Sequence, residues 1–150
     1  MMLGAPPRRD DLELLDNPER HRHTLPANLA DIRRLNRWFG GKASVIRRLG
    51  PILRERPTAS LLDVATGSAD VPLALLAWSR QHGTRLTITG LDVSADVLEE
   101  ARQFTHDQQV TLVEGDALAL PFPGDSFDVV TCCLAIHHFD PDRAVQVLRE

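Results

Sequence analysis

From Pro57 onward the chain alternates between two hydrophobic periods, and three successive strand-like runs lead into acidic residues. Ser60-Leu-Leu-Asp-Val-Ala65 is a short apolar run that enters a glycine-containing turn. Arg85-Leu-Thr-Ile-Thr-Gly-Leu-Asp92 is rich in β-branched residues and ends on a carboxylate. Gln109-Val-Thr-Leu-Val-Glu114 leads to Gly115-Asp116-Ala117, and Phe127-Asp-Val-Val-Thr-Cys-Cys-Leu134 is a fourth run. Helical segments separate them. One spans Asp70 to Arg80, with Pro72 in a first turn where its missing N–H is harmless, and stops at Gly83. Another runs from the N-cap Ser94 through Phe104. A last one starts at Asp140-Pro141, an N-cap followed by proline at the first helical position. Leu118 to Ser126 is a Pro/Gly-rich connection. This alternation predicts an α/β fold: a doubly wound, mainly parallel sheet with helices on both faces. Ligands of such sheets bind beyond the carboxyl ends of the strands.

The first 57 residues read differently. Residues 1–24 are polar and predict a tail with at most a short helix around Leu12–Leu15. Residues 25–57 predict two helices. The first carries Leu29, Ile32, Leu35 and Phe39 at three- and four-residue steps and ends at Gly40-Gly41. The second runs from about Ala43 to Arg54, with a kink expected at Gly50-Pro51. Residues 1–57 carry a net charge of +5 and residues 58–150 a net charge of −9. The solvated face of Arg-rich helices explains the basic half better than an anionic partner does, and sixteen of the 17 basic residues being arginine points to compositional bias as much as to selection for a ligand. No apolar run is long enough to span a bilayer or to form a signal peptide, so a cytoplasmic protein is expected. Cys132 and Cys133 are adjacent, too close for ordinary disulfide geometry, and they read as buried strand thiols. No metal site is suggested.

The first strand ends Asp63-Val-Ala65-Thr-Gly67-Ser-Ala69-Asp70, where small residues allow a tight turn and a close backbone approach to a ligand. The helix that follows offers free N–H groups to an anion. Together with Asp92, Asp116 and the run Leu134-Ala-Ile-His137-His138-Phe139, this constellation resembles the class I S-adenosylmethionine-dependent methyltransferases over residues 58–150. Asp63, Ala65, Gly67 and Ala69 fill the acid and glycine places of that family's loop, two glycines being alanine here. The resemblance implies a Rossmann-like sheet whose first four strands lie in the order 3-2-1-4, with strands five to seven absent from these residues. It implies that Asp92 binds the ribose hydroxyls and that Val93 packs on the adenine. Asp116 would accept from the adenine amino group, the Ala117 N–H would meet a ring nitrogen, and Leu134 would sit beside the cofactor. Residues 25–57 resemble the N-terminal helical cap that such enzymes place over the acceptor. Strand four would form an apolar edge, and the isolated chain is expected to aggregate and to lack turnover.

The NAD fingerprint G-x-G-x-x-G does not match Ala65-Thr-Gly67-Ser-Ala69-Asp70. A nucleic-acid methyltransferase is the second reading, but the Asn/Asp-Pro-Pro-Tyr/Phe motif of amino-methylating enzymes is replaced by Leu134-Ala-Ile-His137, and the cysteines lie inside a strand. A non-catalytic fragment that binds S-adenosylmethionine is the third. The expected acceptor is therefore a small molecule, with neither nucleic acid nor membrane as partner. His137 and His138 are the candidate bases for an oxygen acceptor, with bridging hydrogen bonds as the alternative role. The acceptor and the oligomeric state are left open.

Overall fold

The protein is described by a computed structural model over residues 27–31, 41–106 and 108–150. The expectations for residues 1–24, and for Ile32, Leu35 and Phe39, lie outside the described residues. Residues 27–31 are helical. Eight longer elements follow among the described residues: α1 (Gly41–Arg54), β1 (Thr58–Val64), α2 (Asp70–His82), β2 (Arg85–Asp92), α3 (Ala95–Thr105), β3 (Val110–Glu114), β4 (Val129–Cys132) and α4 (Pro141–Arg149).

The sheet order is β3-β2-β1-β4 and every strand pair is parallel. This is the predicted Rossmann-like arrangement. Neighbouring residues of β1 face opposite ways, as the two-residue strand period requires. Leu61 is fully buried with Leu75, Leu86 and Ile88, whereas Leu62 is buried with Val64, Leu91, Ala117 and Val147 of α4. Two apolar layers therefore sandwich the sheet. A buried leucine contributes about 1.5–3 kcal/mol by leaving water, so these layers carry much of the fold's stability.

Local signals set most of the helix ends. The Ser94 hydroxyl accepts from the Val97 N–H, and one Asp140 carboxylate oxygen accepts from the N–H groups of Asp142 and Arg143. Gly83 closes α2 in the left-handed conformation at φ 77°. Helix α1 differs from expectation in two ways. It begins at Gly41 rather than near Ala43, and it runs unbroken through Pro51. Pro51 falls in the last turn, where only the Arg47 carbonyl loses its partner, so the cost is smaller than in mid-helix. Gly50 lets α1 approach α2, since a Cβ there would lie 3.1 Å from the Trp78 ring.

Strand β4 is shorter than the predicted Phe127–Leu134 run. Its pairing with β1 covers only Leu61–Val64 against Val129–Cys132. At its start, the Asp128 carboxylate accepts from Ser60 and from Arg56, and is held below the usual carboxylate range chiefly by the Ser60 N–H and hydroxyl. At its end, Leu134 takes a left-handed φ of 59° and turns the chain into the short 3-10 helix Ile136–His138. β4 lies at one edge of the described sheet, and Val130 on it is 57% exposed.

Candidate cofactor site

The three small residues of the loop after β1 share one conformation. Ala65, Gly67 and Ala69 have φ of 54°, 55° and 56°, all left-handed. Two alanines thus hold a geometry that costs a Cβ-bearing residue roughly 1–2 kcal/mol. Thr66 between them donates its N–H to the Leu91 carbonyl at 2.9 Å, which pins the loop to β2. Ala69 is fully buried, so its methyl also packs. Ala65 is only half-buried, and replacing it with glycine removes strain at little packing loss. Ala65→Gly is therefore expected to stabilise the protein by about 0.5–1 kcal/mol, less than the full strain because glycine is freer in the unfolded chain. Ala65→Val should destabilise it. Urea unfolding of both variants checks this, and a less stable glycine variant would contradict it.

Beneath the loop lies Asp63, which is 3% exposed. One carboxylate oxygen accepts from the Thr66 hydroxyl at 2.9 Å, and the other accepts from the Thr131 hydroxyl at 2.6 Å. Burial pushes its pKa up to about 6, against the pull of those two donors. Asp92, at the end of β2, uses both its oxygens as well. Oδ2 accepts from the Gly67 N–H at 3.0 Å and Oδ1 from the Ser94 N–H at 3.1 Å. One carboxylate therefore ties the loop after β1 to the start of α3. Burial raises its pKa and the backbone N–H donors oppose the rise.

These groups face a cavity of about 600 Å³ at the carboxyl end of the sheet, a size suited to a nucleoside-sized ligand. Of the residues singled out in the sequence, Asp63, Ala65, Gly67, Asp92, Val93, Leu134 and His138 line it. Ala69, Asp116, Ala117 and His137 do not. Asp116 is exposed, and its Oδ1 accepts from the Leu118 N–H at 2.9 Å. His137 stacks at a tilt on His138, ring centroids 4.2 Å apart. Sequence reasoning gave no role in the site to Lys42, Thr66, Ser68, Ser94, Phe139 or Arg143. Lys42 forms an ion pair with Asp70 of the cavity wall, and the other five line the cavity. Ser68 carried a signal in following Gly67 directly. Lys42 carried none, because it reaches the wall from a helix that precedes β1.

Cys132 closes β4 and Cys133 follows it, both half-buried and unbridged. Burial and then the Asp63 charge raise both thiols, Cys133 to about 11, so neither is a thiolate at neutral pH.

The wall fits S-adenosylmethionine on two counts. Val93 and Leu134, both on the cavity, are 70% and 65% exposed, apolar surfaces suited to flat or aliphatic parts of a ligand. The Ser68 hydroxyl is buried without a hydrogen-bond partner, which costs about 1–3 kcal/mol unless a ligand supplies one. No group of three or more metal-ligating side chains occurs among the described residues.

The sequence model of a family described as methyltransferase domain matches residues 61–150. A demethylmenaquinone methyltransferase of Thermus thermophilus is 35% identical over 110 residues, covering 71% of this chain and 48% of that protein. A protein of the same name from Staphylococcus haemolyticus is 45% identical over 85 residues, 56% of this chain and 34% of that one. The crystal structure of YcgJ from Bacillus subtilis superposes with a TM-score of 0.53 at 30% identity, over 67% of this chain and 43% of that chain. The chain spans between 28% and 48% of the length of such curated relatives.

Proposed function

Because the chain belongs to the methyltransferase domain family, whose cofactor is S-adenosylmethionine, we propose that it transfers a methyl group to a small apolar acceptor with an ionisable oxygen or carbon. The observation that carries this reading is the mixed lining of the cavity. Its polar residues include Asp63, Thr66, Ser68 and Asp92, and its apolar residues include Leu29, Val45, Leu134 and Phe139. The cofactor supplies a methyl group already activated on a sulfonium, so the chain's own residues chiefly align, desolvate and move one proton. Asp92 would orient the ribose and Val93 would support the adenine. Asp116 would read the adenine edge once its side chain releases the Leu118 N–H, and Ala117 would offer its backbone N–H beside it. Leu29, Val45 and Phe139 would exclude water around the acceptor, with residues 25–57 as the cap. His138 would take the acceptor's proton on a ring nitrogen, and His137 would orient His138 by stacking. No helix among the described residues is long and apolar enough to cross a membrane.

Relatives named demethylmenaquinone methyltransferase make a quinol-type acceptor the first to test. The intact protein should bind S-adenosylmethionine in the micromolar range and more tightly than NAD by calorimetry. With labelled cofactor it should methylate reduced quinones or another small metabolite of a cell extract, read by mass spectrometry. Tighter binding of NAD would refute the cofactor reading. Label appearing only in nucleic acid would refute the acceptor reading.

A further inference from the structure

The first turn of α1 holds the only lysine among these 150 residues, Lys42, in a chain whose sixteen other basic residues are arginine. Lys42 Nζ lies 3.4 Å from Asp70 Oδ2. Asp70 belongs to the first turn of α2 and lines the cavity, with its side chain 7% exposed against 27% for Lys42. Gly41 and Ser44, on either side of Lys42, line the same wall. So does Ser68, whose buried hydroxyl has no hydrogen-bond partner. A cation paired with Asp70 of this wall thus accompanies an unused hydroxyl and two anions, Asp63 and Asp70, that line the wall.

An amino acid headgroup carries the complementary pair of charges. We propose that Lys42 and Ser68 hold the carboxylate at the amino acid end of S-adenosylmethionine, with Asp70 keeping the Lys42 ammonium at the wall. This rests on the cavity being the cofactor site. The 3.4 Å separation is longer than a close charge-assisted bond, which leaves the ammonium room to lean toward a second carboxylate. A lysine suits this task better than an arginine. Its three donors are arranged around a point charge and can serve two carboxylates, whereas the planar guanidinium fork favours one bidentate partner.

The test separates the amino acid end from the rest of the ligand. Methylthioadenosine keeps the nucleoside and the thioether but lacks the carboxylate and ammonium. Lys42→Met should weaken S-adenosylmethionine and S-adenosylhomocysteine about tenfold to a hundredfold by calorimetry. It should leave methylthioadenosine within about twofold, and Lys42→Arg should restore part of the loss. Equal losses for all three ligands, or none for any, would overturn the proposal. A second measurement needs no variant. Acylation of Lys42 in the wild-type protein, followed by peptide mass mapping, should be slowed by S-adenosylhomocysteine and not by methylthioadenosine. Equal protection by both, or by neither, would also overturn it. Wild type that binds no adenosyl ligand would instead remove the cofactor reading itself, and this proposal with it.

Discussion

Asp63→Asn is expected to stabilise the ligand-free protein at neutral pH while weakening its hold on S-adenosylmethionine. The Asp63 carboxyl has a folded-state pKa of about 6 against an ordinary 3.8, with desolvation by burial as the main cause. The folded state therefore holds this proton more tightly than the unfolded chain does. The sign follows: below about pH 4 both states are protonated and the residue costs nothing. As pH rises toward 6 the unfolded chain ionises first and stability falls. Above 6 the penalty is constant, on the order of 3 kcal/mol. Asparagine has nearly the same shape and no charge: one of the Thr66 and Thr131 hydroxyls can turn to accept from its amide NH2 while the other still donates to its carbonyl oxygen. At about pH 7.5 the variant should melt several degrees higher than wild type, and at about pH 4 the two should converge. Binding should move the opposite way. An ionised Asp63 favours the ligand's ammonium, so wild-type affinity should rise between about pH 5 and pH 7 and that of the variant should stay flat. Thermal unfolding and calorimetry across that range check both halves. A destabilised variant at neutral pH would show that the carboxylate's hydrogen bonds outweigh its burial.

The other large effect belongs to Asp92. Asp92→Ala removes the acceptor for the Gly67 and Ser94 N–H groups as well as the proposed ribose contacts. Hydrogen bonds to a charged acceptor are worth about 1.5–3 kcal/mol, so cofactor affinity should fall about tenfold to a hundredfold or more. His137→Ala should change affinity by less than about twofold, because His137 is outside the cavity wall. Calorimetry on the two variants decides the matter, and similar losses would refute the assignment of Asp92. The loop conformation adds a second readout. With Gly67 released, the left-handed alanines lose a tether, and amide exchange at Gly67 and Ser94 should accelerate.

The parts of the fold that were readable lie where causes are local. β2 spans Arg85–Asp92 as its β-branched run implies, α2 begins at Asp70 with Pro72 in its first turn, and Ser94 and Asp140 cap their helices by their own side chains. The acidic strand ends were also visible, since a strand's length fixes where it stops. What escaped notice depends on partners far apart in sequence. Thr131 reaches Asp63 across 68 positions. Lys42 meets Asp70 across the α1–α2 packing. β4 stops at Cys132, ahead of a left-handed turn at Leu134 that no propensity for leucine foretells. The alanines of the loop were read as small residues in a tight turn. That they take the left-handed conformation is a tertiary fact, set by the Thr66 bond to β2 and the Gly67 bond to Asp92.

Gly90 gives this arrangement an unexpected control point. It pairs with Asp63 in the sheet register and is absent from the cavity wall. A Cβ at position 90 would fall 2.8 Å from the Thr66 hydroxyl oxygen, the same oxygen that donates its proton to Asp63. A single methyl there would turn Thr66 aside, take one of the two donors from the buried carboxyl, and drive its pKa further up. The acidity of the site is thus adjustable from the neighbouring strand, at a position that does not itself line the cavity. Selection for a different working pH has a one-carbon route through position 90.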